Sequence, residues 1–295
     1  MKRCAITLLA AMLLLGLYGV AMAQSPTELV IYGDAGYHEN GLAGVDASSG
    51  VPKRSHEFLN PEIRLLFGDR NRASRLRFYL HANPAFAYPV NAVDNTLTGG
   101  IGVEIRPLID QYHGRFRAPI WLRPMRLYAQ YDLQGFWFGA KPDFSPRHDL
   151  VIGFDHWKEF GAVDSDRPGN PDRQWAELFF GAAWHDTDFF QTDYNSIRYG
   201  ADVRAGYEFE AGRYPIMPYI LLDINGSSRR DYEFENRLIG GVGVRTQWQF
   251  GPHTRIKLYV EPRWILAFLK QHPDPSAHVK TSDLIVGVSF QYNRY

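Results

Sequence analysis

The sequence predicts an all-β chain, a closed antiparallel transmembrane β-barrel of about twelve strands. Three observations predict it. Runs of residues alternate between apolar and polar with a period of two, turn-rich segments separate the runs, and the charges gather on the polar side of each run. Composition agrees: 32 basic residues balance 32 acidic ones over 295 positions, 15% of residues are aromatic, and there is one Cys. These values exclude a helical membrane protein, a disulfide framework and a disordered chain. Because basic and acidic residues are interleaved, the chain lacks the electrostatic footprint of a nucleic-acid binder, and no nucleic-acid partner is expected.

Residues 1–23 read as a secretory signal: Lys2 and Arg3, an apolar run from Ala5 to Val20, then the small-x-small stretch Ala21-Met22-Ala23. The only Cys, Cys4, lies inside this leader. The mature chain, residues 24–295, is therefore expected to carry no thiol, and so no disulfide, Cys nucleophile or Cys metal site. It is read as one outer-membrane barrel domain.

In chain order, a weak alternation spans 28–38 and another 58–67. The third run is strong: Leu76, Phe78, Leu80, Ala82, Phe86 and Tyr88 stand against Arg75, Arg77, His81 and Asn83. A weak run at 96–107 precedes a clear one at 126–137, where Leu127, Ala129, Tyr131 and Leu133 face away from Arg126, Gln130, Asp132 and Gln134. Weak runs follow at 149–160 and 174–186. From Ile197 to Ala211 the pattern is unbroken, with Ile197, Tyr199, Ala201, Val203 and Tyr207 opposite Arg198, Asp202, Arg204, Glu208 and Glu210. After weak runs at 215–225 and 236–250 come two strong ones. Ile256, Leu258, Val260, Trp264 and Leu266 alternate with Arg255, Lys257, Glu261 and Arg263, and Leu284, Val286, Val288, Phe290 and Tyr292 alternate with Asp283, Ser289, Gln291 and Asn293. This last run ends at the aromatic Tyr295, in the manner of a barrel assembly signal.

A strand of about ten residues, tilted by about 45°, spans about 23 Å, the height of an outer-membrane apolar band. Twelve such strands give a backbone diameter of about 24 Å and a narrow lumen. With both termini periplasmic, short turns are expected after every second strand. Segments 68–74, 212–213 and 251–253 fit this expectation, whereas 108–118 and 161–173 are longer than such a turn needs, which suggests a misplaced hairpin. A soluble barrel would turn its apolar face inward. Here that face carries aromatics near the strand ends, among them Phe86, Tyr207, Phe209, Trp248, Phe250 and Trp264, as a lipid-facing surface does.

Lumen-lining groups are therefore expected at Arg77, Arg126, Asp132, Arg204, Glu208, Lys257, Glu261 and Arg263. One reading has these charges pair across strands and rigidify the barrel interior. The other makes them a polar surface that binds hydroxyls through Arg forks and carboxylates. No catalytic residue, metal ligand or cofactor is expected. An outer-membrane lipid hydrolase needs Ser and His within reach of each other, and none of the ten His residues has Ser two positions on. His81 and His185 are read as inward-facing structural residues. The loop 164–172 lacks the fixed Gly and distal Glu of a calcium loop, and Gly99-Gly100-Ile101-Gly102 and Gly240-Gly241-Val242-Gly243 lie in strands rather than before a helix.

Four stretches carry a likeness to a known family: Arg126-Leu127-Tyr128-Ala129-Gln130-Tyr131; Gln174-Trp175-Ala176-Glu177-Leu178-Phe179; Asp231 to Leu238 followed by Gly241-Val242-Gly243-Val244-Arg245; and Leu258-Tyr259-Val260-Glu261-Pro262-Arg263. Together they resemble the C-terminal barrel of the phage-adsorption and exopolysaccharide-export porin family. The resemblance implies an outer-membrane, porin-like barrel that exports or displays a polysaccharide or other polar solute, without catalysis. In that family a periplasmic array of helical repeats precedes the barrel. Here only Ser25 to Glu28 lie between the leader and the first strand, so separate periplasmic export proteins are the expected partners, beside outer-membrane lipid and polysaccharide. A narrow general or substrate-selective porin and an outer-membrane lipid hydrolase are the alternatives.

Overall fold

The computed structural model describes residues 28–39, 56–68, 76–88, 96–107, 124–136, 147–163, 172–187, 195–211, 214–228, 236–251, 253–267 and 279–294. The leader, Cys4, most of the loop 164–172 and Tyr295 lie outside them.

The alternating runs form β1 (Glu28–His38), β2 (His56–Phe67), β3 (Arg77–Tyr88), β4 (Thr96–Ile105), β5 (Arg126–Phe136), β6 (Arg147–Gly161), β7 (Gln174–Thr187), β8 (Asn195–Tyr207), β9 (Phe209–Ala211), β10 (Tyr214–Ser227), β11 (Arg237–Phe250), β12 (Thr254–Ala267) and β13 (Val279–Arg294). Each wall strand pairs antiparallel with the next, and β13 pairs with β1, from Leu29 opposite Arg294 to His38 opposite Ile285. The ring is thus closed, with no exposed sheet edge among its strands. It has twelve wall strands, because β9 continues the register of β8 against β10 after a break at Glu208: Gly206 faces Tyr219 and Phe209 faces Ile216.

The pairing of successive runs leaves no hairpin misplaced. The connections after β4 and β6 are simply longer than a minimal turn. At the second, Gly161 adopts a φ of 70°, and a side chain there would overlap the Gln174 carbonyl.

The register turns the charged parity inward on every strong run. Arg77, Glu104 and Glu261 are 2%, 1% and 2% exposed, whereas Ile220, Trp264 and Phe250 on the outer parity are 65%, 60% and 59% exposed. That is the inverse of a soluble domain, in which buried charge is rare and large apolar side chains are covered. The outer aromatics form two belts. Tyr207, Phe209, Tyr214 and Phe250 lie towards the end where the chain termini emerge, and Tyr37, Tyr199 and Trp264 lie towards the opposite end.

The interior is not polar throughout. Trp175, Met217, Tyr219, Leu221, Ile239 and Ile265 occupy inward positions on β7 and β10–β12 and pack with Val163 into a buried cluster. This explains why alternation is weak at 215–225, where both faces of the strand are largely apolar, and at 238–243, where glycines and Ile239 take the inward positions.

Candidate functional site

The lumen has two differently built halves. In the half nearest the termini, a chain of ion pairs runs along the wall. Arg77 Nη1 donates to Glu28 at 2.8 Å and its Nη2 to Glu104, Arg126 Nη1 reaches Glu104 at 3.3 Å, and Arg126 Nε reaches Asp155 at 3.0 Å. Further round the ring the pairs reach through the lumen between strands that are not neighbours. Lys257 Nζ on β12 donates to Glu177 on β7 at 2.6 Å, Arg245 Nη1 on β11 donates to the other oxygen of Glu177 at 2.8 Å, and Arg255 on β12 holds Glu159 on β6. The Arg245 guanidinium carbon lies 3.7 Å from the centre of the Trp175 ring.

At mid-height Glu261 is the hub. It accepts from Tyr219 Oη, from Arg263 Nε at 2.7 Å and, in an ion pair, from Arg204 at 3.4 Å, while Arg204 Nη1 also donates to Asp202 at 2.9 Å.

The half towards the opposite end is built from histidine–carboxylate pairs and amides. His38 Nδ1 meets Asp283 at 2.6 Å, His185 Nδ1 meets Asp149 at 2.7 Å, and His81 Nε2 meets Asp132 at 2.7 Å. Tyr79 Oη donates to Gln130 Oε1 at 2.7 Å, and Gln130 Nε2 donates to Asp132 at 2.8 Å, so Asp132 is held from two sides.

The reach of His81 and Tyr79 from β3 to β5 depends on the intervening β4. Side chains at Gly100 and Gly102 would overlap Asp132 and the Tyr79 ring respectively. Glycine is needed at both positions because side chains from the neighbouring strands cross over them.

Next to this network is a pocket of about 200 Å³. Glu62, Arg64, His81 and Asp132 supply its ionisable groups, and Asn83, Thr98 and Gln130 its neutral ones. Glu62 is fixed by Arg64 and Tyr32, whose phenol also accepts from Arg64 Nη2 at 3.2 Å. The face of Tyr32 is 38% exposed inside the barrel. Donors and acceptors are thus held in place beside an accessible ring, an arrangement suited to a hydroxyl-rich solute.

Of the residues expected in the lumen, Arg77, Arg126, Asp132, Arg204, Lys257, Glu261 and Arg263 all hold inward partners, and Glu208 has an inward register position at the break after β8. The structure does not gather them into one site. Only Asp132 lines the pocket; Arg77, Arg126 and Lys257 belong to the half nearest the termini, and Arg204, Glu261 and Arg263 to the mid-height hub. The pairs join neighbouring strands, as in Arg77–Glu104, and also strands further round the ring, as in Lys257–Glu177 and Arg255–Glu159. The sequence reading missed Glu159, Trp175 and the His38–Asp283 pair. Glu159 sits in a run whose inward parity also holds Val151 and Trp157, so no polar period marked it. Among the described residues, no three His, Cys, Asp or Glu side chains gather as a metal site.

No protein-family model matches the chain, and no curated protein matches it. Among solved structures it is similar to a bacterial polysaccharide outer membrane secretin, at 10% identity over 91% of this chain and 98% of that one, with a TM-score of 0.40. It is also similar to an outer membrane channel from Pseudomonas putida F1, at 13% identity over 91% and 96%, with a TM-score of 0.40. A third is the transport unit of the autotransporter AIDA-I from Escherichia coli, at 10% identity over 90% of each chain, with a TM-score of 0.43. At these identities the likeness is one of architecture.

Proposed function

We propose that this chain is an outer-membrane β-barrel, exported through the inner membrane by its N-terminal leader, which handles a polysaccharide or other polar solute through its lumen by binding and passage rather than by catalysis. One observation carries the reading: apolar side chains are exposed outside, while fixed hydrogen-bonding groups surround a pocket inside. An exposed apolar surface of this extent needs lipid to cover it. The termini then face the periplasm, where separate export proteins would deliver a polymer, and the histidine-rich half faces outward.

The pairs that reach through the lumen between strands that are not neighbours argue against a freely open general porin. In planar bilayers the purified chain is expected to give a small, intermittent conductance that a neutral oligosaccharide alters. A large steady conductance indifferent to glycans would replace this reading with a general porin.

A second reading, a lipid hydrolase, has one observation in its favour: the His81–Asp132 pair lies in a pocket that also holds the Thr98 hydroxyl. Esterase activity on dispersed lipid that disappears in Thr98→Val, in a barrel closed to ions, would establish it instead.

A further inference from the structure

The contacts across the half of the lumen nearest the termini are not those of a finished structural core. Glu177 on β7 receives two cations from strands three and four places round the ring, Arg245 on β11 and Lys257 on β12, while Arg255 on β12 holds Glu159 on β6. These groups come from strands that do not pair with one another. They therefore lie outside the sheet's own pairing; they reach through the lumen between strands that are not neighbours.

Arg245 is also incompletely used. Its Nη1 binds Glu177, but Nε and Nη2, which together form the side edge of the guanidinium, are buried with no hydrogen-bond partner among the described residues. The indole Nε1 of Trp175, on which Arg245 stacks, is in the same condition. In two other arginines that same edge is occupied: Arg126 gives Nε and Nη2 to Asp155, and Arg263 gives them to Glu261, whereas Arg77 leaves Nε alone without a partner among the described residues. A buried donor left unpaired raises the free energy of the state that buries it. The closed arrangement therefore carries a penalty that opening would remove. The planar, two-pronged edge left over is the one that matches a carboxylate.

We infer that Glu177, Arg245 and Lys257 form the gate of the lumen, and that a carboxylate-bearing solute opens it by taking the unpaired edge of Arg245 and drawing that side chain away from Glu177. The inference rests on the proposed passage of polar solutes and adds to it the group by which one class of solute is recognised. Arg245 reads the oxyanion, Glu177 holds the gate shut, and Lys257 keeps Glu177 in place.

The test uses the full chain in planar bilayers at constant ionic strength, with sodium glucuronate as probe and glucose, a neutral ring of similar size, as control. Glucuronate is expected to raise the open probability of the native barrel several-fold, and glucose to leave it unchanged. Arg245→Lys keeps the charge but loses the two-pronged edge, and it is expected to abolish the response. Glu177→Gln is expected to raise the open probability several-fold with no solute present. If that variant does not assemble into a heat-modifiable barrel, Lys257→Met is expected to give the same direction of change.

A native barrel indifferent to glucuronate, or an Arg245→Lys barrel that still responds, overturns the inference, as does unchanged gating in both Glu177→Gln and Lys257→Met. Calorimetric binding of a neutral oligosaccharide is measured alongside. If binding persists while the gate fails to respond, only this inference is lost. If binding is absent, the underlying reading of a solute-handling lumen is lost as well.

Discussion

The two halves of the lumen solve the same problem, polar groups enclosed in a ring of strands, by different means. Near the termini, arginines and glutamates are buried to within a few percent and joined in chains, and an apolar cluster packs beside them. Towards the opposite end, His81, Gln130, Tyr32 and a single arginine, Arg64, fix Asp132 and Glu62 around a pocket. A buried ion pair is costly to break because its partner is left charged and without water, whereas a pair that borders a cavity has room beside it for a competing polar group. The first half therefore holds its partners except where a competing anion replaces one, as at Arg245, and the second offers its polar groups to an open pocket.

The comparison can be broken most directly at Glu104, which Arg77 and Arg126 share. Glu104→Ala is expected to cost about 3–5 kcal/mol by stranding two buried guanidinium groups, read as a lower urea midpoint of the folded barrel in lipid. Met217, with no exposed surface, tests the apolar part of the same half, and Met217→Ala is expected to cost about 2–4 kcal/mol. Gly102→Ala is expected to cost about 1–3 kcal/mol by overlap with the Tyr79 ring. Tyr79→Ala in the same chain should recover much of that loss in a double-mutant cycle.

The opposite half should behave in reverse. His81→Ala is expected to cost less stability than Glu104→Ala, because Asp132 keeps its bond from Gln130, while weakening oligosaccharide binding by about tenfold, equivalent to about 1.4 kcal/mol. Equal stability losses at Glu104 and His81 would erase the distinction. The smallest expected change is electrical: replacing Arg126, Arg204 and Arg263 by Ala should shift the reversal potential in a salt gradient, and an unchanged potential would mean that permeating ions do not sense these groups.

Much of the wall was legible in the sequence. A strand displays its environment with a period of two, so wherever one face meets charge and the other lipid, as in β3, β8, β12 and β13, the residues themselves report which way they point. The same logic failed where the interior is apolar. Met217, Leu221 and Ile239 face inward, yet they differ little in hydropathy from the outward Ile220 and Leu222, and the period disappears. Glu159 was hidden for the same reason, with Trp157 and Val151 on its own face.

The sequence alone therefore determined the class of fold, the order of the strands and the side of each strong run that faces the lumen. These follow from local alternation and the requirement that a spanning sheet close on itself. Only the tertiary structure decided which charges meet. Lys257 and Glu177 are neighbours because the ring bends β12 towards β7, and Asp132 joins the pocket because Gly100 and Gly102 let β3 reach β5. Contacts across a closed ring depend on its curvature and on which side chains are small enough to be passed over, and neither leaves a periodic trace in the chain.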